Sequence, residues 1–390
     1  MTATTAKAPL ESRTMHVPLI QPDIPPLEQV ADQFREILAN GKITNFGKFV
    51  TQFEKEIGEY LGVPAVTLSS GTMALLFALQ SLGLKPGEKI IVPSFTFMAT
   101  VQAILYAGAV PVFADVGDDL TLQAAELEML LDKHPDARTV IAVHMYGLPC
   151  DVDALQAVVD AAERKRGAPV KLLYDGAHAF GARVGNRKVG TFGYAEVFSL
   201  SVTKVLVSVE GGLVVSRDAQ YLQRIRQMRN YGIESNYNAT NPGMNGKMSE
   251  FHAIVGIQSL RNIDANMQRR QALAARYFDR IEAQTAFRRL PQRSGTLHTY
   301  KDFSILLPDR VAARRGEMIE KLKELGVETR AYFFPPVHEQ GHFRKYADRP
   351  LPRTESLSRH VLTLPFFTTM TDAQVDHVVD GLARVEKALA

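Results

Sequence analysis

The sequence predicts an α/β protein in which a mostly parallel β-sheet lies between helices and a smaller α+β unit follows. Three observations carry that expectation. Short apolar runs recur from Ala65 to Val215, and most are followed by a segment of helical periodicity. These runs are apolar throughout rather than alternating, as strands buried on both faces require. The chain has 390 residues, too many for one small core, so two structural units or one large α/β unit are expected.

Residues 1–15 read as a disordered lead-in, since Met1–Arg13 is rich in Ala and Thr and has no apolar stretch of a secretory leader. Leu27, Val30, Phe34 and Leu38 recur at helical spacing; Asn45-Phe46-Gly47 interrupts the pattern, and Phe53–Leu61 resumes it. Strands are expected at Ala65–Leu68, Lys89–Val92, Val110–Phe113, Thr139–His144 and Val170–Tyr174. Helices Gly71–Leu82, Phe97–Tyr106, Leu122–Lys133 and Val152–Arg164 lie between them. Two further apolar runs, Glu196–Phe198 and Leu213–Val215, flank a turn. A helix Ala219–Asn230 leads to a Gly-, Asn- and Pro-rich loop, Tyr231–Lys247, long enough to suggest function. Met248–Ala286 reads as two helices. The smaller unit is expected as strand Lys301–Leu307, helix Arg310–Leu325, strand Glu328–Ala331 and closing helix Asp372–Ala390. The boundary falls within residues 265–290, dividing a large unit, 16–265, from a small one, 266–390.

Composition narrows the function classes. A formal charge of +3 over this length gives no electrostatic reason to expect nucleic acid or a membrane surface as partner. No apolar run reaches the roughly 18–20 residues of a spanning helix. Cys150 is the only cysteine, which excludes an intrachain disulfide and fits a reducing compartment; the expected location is the cytoplasm.

Chemistry is concentrated around Lys204, a lone lysine in the turn between two strand-like runs. An ammonium ion in apolar surroundings shifts toward the neutral amine, which can attack an aldehyde and hold it as a Schiff base. The bland alternative is a loop lysine snorkelling past Val205 and Leu206. Asp175 ends a predicted strand, where a carboxylate can hold a proton on a ring nitrogen; it can equally cap a helix. His178, three residues on, can reach the same ring. Ser69-Ser70-Gly71-Thr72 joins a strand to a helix, a start that binds phosphate or is simply capped. Phe97 ends the next strand, either to cover a flat cofactor or as core. Ser199 offers a further hydroxyl, or is a turn residue. In open parallel sheets ligands bind at the carboxyl ends of strands, where Ser70, Phe97, Asp175 and Lys204 all fall.

Together these stretches carry a resemblance. Ser70-Gly71-Thr72, Pro93-Ser94-Phe95-Thr96-Phe97, Asp175-Gly176-Ala177-His178-Ala179, Ser199 with Thr203-Lys204 and Glu210-Gly211-Gly212, and Asn245-Gly246-Lys247-Met248-Ser249-Glu250 follow in order at fitting separations. Pro335-Pro336-Val337-His338 and Leu364-Pro365 extend the match, which runs from about Val17 to the C-terminus. The sequence resembles the sugar aminotransferases of the DegT/DnrJ/EryC1/StrS family, within the fold type I enzymes of pyridoxal 5'-phosphate. The resemblance implies that Lys204 holds the cofactor's aldehyde and then shuttles protons. It implies that Asp175 pairs with the pyridine nitrogen, His178 lies by the ring hydroxyl and Phe97 stacks on the ring. Ser70, Gly71, Thr72 and Ser199 would hold the phosphate, Asn245 the phosphate of a partner subunit's cofactor, and His338 would face the substrate. It further implies a homodimer with the active site at its interface, glutamate as amino donor and a nucleotide-linked keto sugar as acceptor. The chain departs from the family at Leu200, Ser201, Gly246 and Lys247. Lys247 stands where an arginine is frequent, and the two are not interchangeable at a bidentate anion site.

Two other functions fit parts of the pattern. A sugar dehydratase would keep the cofactor site, but that branch of the family replaces the lysine with histidine, and Lys204 opposes it. A non-catalytic regulator of the same fold would have no need of lysine, aspartate, histidine and phosphate-site residues together.

Overall fold

A computed structural model describes residues 15–389. The expected lead-in, apart from Met15, lies outside the described residues. The central sheet has seven strands: β1 (Ala65–Leu68), β2 (Lys89–Pro93), β3 (Val110–Ala114), β4 (Thr139–Val143), β5 (Lys171–Asp175), β6 (Ala195–Ser199) and β7 (Gly212–Val215). Their spatial order is β1-β7-β6-β5-β4-β2-β3. Six run parallel, and β7 is antiparallel to both its neighbours. Residues 200–211, which join β6 to β7, form no helix, and a parallel return needs a crossover of a dozen or more residues, usually helical. The turn that carries Lys204 therefore lies at the carboxyl end of β6, between two adjacent antiparallel strands.

Successive residues of each strand face opposite ways and feed two separate cores. Ala65, Ile91, Val140, Ala142, Leu172 and Tyr174 face one way, against α1 (Leu27–Asn40), α2 (Lys48–Leu61), α5 (Ala124–Lys133), α6 (Val152–Arg166) and α8 (Glu250–Arg261). Val66, Leu68, Ile90, Val92, Ile141 and Leu173 face the other, against α3 (Gly71–Gln80), α4 (Met98–Tyr106) and α7 (Ala219–Met228). Helix α3 is apolar along most of its length because it is buried between the sheet and its neighbours. Its fully buried Phe77 alone contributes about 1.5–3 kcal/mol relative to exposure.

Helix α9 (Ile263–Gln284) serves two cores. Ile263 and Met267 join the first, whereas Leu273, Tyr277 and Ile281 belong to a third. That third core is closed by α13 (Asp372–Leu389) and a three-stranded antiparallel sheet of Arg288–Arg289, Phe303–Leu306 and Val361–Leu364.

Three sequence expectations are corrected, two of them in the C-terminal region. The third strand is Val361–Leu364 and not Glu328–Ala331, which makes only single bridges on either side, Val327 with Val17 and Arg330 with Thr363. Divided between two partners, the segment forms no ladder. The expected helix Arg310–Leu325 is two, α10 (Asp309–Ala312) and α11 (Arg315–Glu324). The loop Tyr231–Lys247 contains a small hairpin, Ile233–Ser235 with Asn238–Ala239.

The segment 298–302 ties this region to the sheet. Arg270 of α9 donates to the carbonyls of Thr299 and Tyr300 at 2.7 and 2.6 Å. Lys301 N donates to Tyr146 O at 2.8 Å, and Thr299 Oγ1 to His178 O at 2.6 Å. This approach requires Gly147, which has φ +98°; a Cβ there would overlap Thr299 Oγ1 and stand 2.7 Å from His178 O. We expect Gly147→Ala to lower the thermal midpoint well beyond the effect of Gly41→Ala. Gly41 also has positive φ, but a Cβ there would meet no heavy atom within 4 Å. The control isolates backbone strain, roughly 1 kcal/mol or somewhat more, and the difference reports the steric term.

Candidate active site

A cavity of about 370 Å³ opens at the carboxyl edge of the parallel strands, where β1, β2, β5 and β6 end. Eight of the predicted site residues line it: Ser70, Gly71, Thr72, Phe97, Asp175, His178, Ser199 and Lys204. Parallel strands present their carboxyl ends on one side, so residues distant in sequence converge there.

The first turn of α3 forms the cradle. Ser70 caps it, its Oγ accepting from Met73 N at 3.2 Å while its carbonyl accepts from Ala74 N at 3.0 Å. Of the four N–H groups a helix start leaves without intrahelical partners, those of Gly71 and Thr72 remain for an anion. Gly71 lies against β6, where a Cβ would stand 2.7 Å from Ser199 Cβ, and Gly212 lies against the Ser70 carbonyl with no room for a Cβ. Glycine at both positions lets the cradle and Ser199 close on one spot.

Asp175 ends β5 with its carboxylate fixed at both oxygens. Thr100 Oγ1 donates to Oδ2 at 2.7 Å, and Ala177 N to Oδ1 at 3.0 Å. Turns follow it rather than an α-helix, so there is no helix for it to cap. His178 is buried, and its Nδ1 has no hydrogen-bond partner. Burial first, and then the Lys204 charge, hold its pKa well below the usual histidine range, so the ring is neutral. Its Nε2 lies 3.8 Å from Asp302 Oδ2, too far for a hydrogen bond. Phe97 is 50% exposed and presents its ring to the cavity, whereas its near neighbour Phe95 is fully buried. Core packing does not account for Phe97.

Lys204 reaches into the same space. Burial, followed by the charge of Lys301, brings its pKa down to about 8, against the opposing carboxylates of Asp302, Asp175 and Glu210. A sizeable fraction is therefore neutral amine near neutrality.

Two predicted residues lie elsewhere. His338 does not line the cavity; it is buried, with Nδ1 2.6 Å from Ser94 Oγ and its ring against Phe113. It is placed to anchor the segment after Pro336 rather than to meet substrate. Asn245 is exposed and bridges to Asn230, outside the cavity of its own chain. Residues that sequence patterning missed also line the cavity: Thr100, Glu210, Lys301, Asp302, Tyr332 and Phe333. An adjacent pair of opposite charges just before an apolar strand was a usable signal for Lys301 and Asp302. Thr100 gave none.

One group answers all these features together. A flat, phosphorylated pyridine aldehyde needs an amine for its carbonyl, an acid for its ring nitrogen, a surface for its face and N–H donors for its phosphate. The unpartnered His178 Nδ1 and the cradle left open by Gly71 and Gly212 fit it. Fold and site thus define a pyridoxal-phosphate enzyme of fold type I.

The chain belongs to the DegT/DnrJ/EryC1/StrS aminotransferase family, whose model matches residues 27–383. It is similar to an Escherichia coli dTDP-4-amino-4,6-dideoxy-D-glucose transaminase, 31% identical over 91% of this chain and 95% of that one. It is also similar to a Vibrio cholerae GDP-perosamine synthase, 30% identical over 93% of this chain and 97% of that one. Among solved structures it resembles DesI in the presence of its TDP-sugar product, with a TM-score of 0.87 and 31% identity over 96% of this chain and 94% of that one.

We expect Gly71→Ala to displace Ser199 and weaken cofactor retention by at least about tenfold, the equivalent of one charge-assisted hydrogen bond. Equilibrium dialysis of pyridoxal phosphate checks this, with circular dichroism to show that the fold is kept.

Proposed function

We propose that this protein is a pyridoxal-phosphate-dependent aminotransferase that moves an amino group from glutamate to a keto group of a nucleotide-linked sugar, working as a cytoplasmic homodimer. The observation that carries the reading is Lys204, an amine brought toward neutrality in a cavity that also holds a doubly fixed carboxylate and a helix-start anion cradle. The relatives support the acceptor class, since one is named for a dTDP sugar and another for a GDP sugar. That difference leaves the nucleobase open for this chain. The dehydratase alternative finds no support at position 204, which is lysine.

When bound, pyridoxal phosphate supplies an electron sink that stabilises negative charge on the carbon losing or gaining a proton. The residues of the chain have separate tasks in this reading. Lys204 holds the aldehyde carbon and, once released, carries the proton between carbons as a base of suitable strength. Asp175 keeps a proton on the ring nitrogen, and Thr100 with the Ala177 N–H keeps that carboxylate from turning away. The neutral His178 offers Nδ1 to the ring's oxygen. Gly71, Thr72 and Ser199 hold the phosphate with Ser70 setting the turn, and Phe97 covers one face.

The dimer is supported by surface chemistry. Tyr231 at 50%, Tyr237 at 94% and Met244 at 41% exposure put large apolar side chains on the loop that carries Asn245. Such a patch is better covered by a second copy than by water. In this reading Asn245 completes the partner's phosphate site.

Two tests follow from these roles. Asp175→Asn should leave the fold intact and nearly abolish amine transfer, with the loss mainly in kcat, because no carboxylate would then hold a proton on the ring nitrogen. Unchanged kcat would remove Asp175 from the chemistry. For the dimer, a Lys204→Ala subunit is mixed with an Asn245→Ala subunit. If Asn245 acts across a two-fold interface, one site of each mixed dimer carries both defects and the other none. Strong cofactor binding then returns at half the sites; no recovery in a sample shown to contain mixed dimers overturns the crossing.

A further inference from the structure

The cavity holds a second lysine that the site described above does not use. Lys301 lies just ahead of the strand Phe303–Leu306, its side chain almost fully buried and yet part of the cavity wall. Its Nζ donates to Asp302 Oδ1 at 2.7 Å. Asp302 is equally buried; burial opposes its charge, but Lys301, supported by Lys204, holds its carboxyl below the usual range. A buried ion pair is weak evidence of stabilisation, because desolvating two charges offsets much of their attraction. Its retention in a cavity wall calls for another reason.

The surrounding backbone fixes Lys301 firmly. Its N–H donates to Tyr146 O, and the preceding residues are held by Arg270, itself buried, and by the Thr299 hydroxyl on His178 O. Lys301 thus occupies a set place beside the sheet edge where Lys204 enters the cavity. Five ionisable groups face Lys204 there: Asp175 and His178 from the end of β5, Glu210 from its own turn, and Lys301 with Asp302. His178 is neutral, and the three carboxylates favour an ammonium at Lys204. Lys301 is the one cation on the wall to oppose them among the described residues.

We propose that Lys301, clamped by Asp302, is a positioning residue that acts on Lys204 by its fixed charge and increases the share of the Lys204 amine in its neutral, nucleophilic form. Asp302, at hydrogen-bond distance, holds the Lys301 head group in place, and that like charge disfavours an ammonium at Lys204. The downward shift of the Lys204 pKa, in which Lys301 follows burial as a cause, agrees with this arrangement. The inference rests on the reading of Lys204 as the cofactor lysine.

The test measures reductive methylation of Lys204 by formaldehyde and cyanoborohydride across pH. It uses the full-length chain freed of cofactor and checked by circular dichroism, with the exposed Lys85 as internal reference. In the unaltered protein the Lys204 rate should rise with pH through a midpoint near 8. Lys301→Met should raise that midpoint by about one unit, slowing labelling at pH 7 about tenfold with Lys85 unchanged, whereas Lys301→Arg should keep the original profile. If Lys301→Met alone does not fold around an unpaired Asp302, the double variant Lys301→Met/Asp302→Asn should shift the midpoint in the same direction by less. Lys301 outweighs Asp302 at Lys204, so removing both leaves a net rise. An unchanged Lys204 profile in the folded variant overturns the proposal. Failure of pyridoxal phosphate to attach to Lys204 in the unaltered protein is a separate result, which would overturn the reading of Lys204 and this proposal with it.

Discussion

An amine reacts with an aldehyde only when it is neutral, and near neutral pH a solvated lysine is not. The active site is organised around that constraint. Water around Lys204 is replaced by apolar wall and by a like charge, and the pKa falls to about 8. Burial and the like charge, unopposed, would press it lower still and leave the amine a weak base. The three carboxylates facing it oppose that fall and keep the value intermediate.

Sheet topology supplies the setting. The βα units bring Ser70, Phe97 and Asp175 to one edge by parallel repetition, and the antiparallel return of β7 delivers Lys204 as a turn rather than as a helix start. The antiparallel pairing of β6 with β7 leaves Gly212 against Ser70 and Gly71 against Ser199. The anion cradle and the lysine turn are therefore in contact through backbone with no intervening side chains. A Cβ at either glycine would separate the cradle from the lysine, so each half of the site fixes the position of the other.

Much of this was legible in the sequence because it is local. The apolar runs gave all seven strands of the central sheet to within a residue or two, since strands covered on both faces are mostly apolar. Phe97, Asp175 and Lys204, which the structure brings to one cavity, lie at or within five residues of a strand end, a position that sequence patterning exposes. The small C-terminal sheet was less legible. Val361–Leu364 is short and follows a polar helix, whereas Glu328–Ala331 has strand-like composition but two different single-bridge partners. His338 lies outside the cavity for a related reason: proximity of a motif to the site does not fix the direction of a side chain, and this one bonds to Ser94.

Lys301 marks the limit of local reading most clearly. In sequence Lys204 has no basic neighbour, and its shift toward the neutral amine would have to come from burial alone. The fold adds a second contribution by carrying a lysine from a distant segment to the same cavity, on a backbone held by Arg270, Gly147 and Thr299. The three-stranded region that this segment enters is thus coupled to the chemistry through a charge, and a displacement of the segment would be felt at Lys204 without touching it. Coulomb interactions fall off slowly in a poorly solvated cavity, so an anchor residue such as Arg270 can bear on the reactivity of an amine it does not contact. Burial brings the Arg270 pKa down to about 10, which leaves the guanidinium charged and its two carbonyl bonds intact across the pH range where Lys204 titrates. The anchor is therefore constant while the nucleophile it serves changes state.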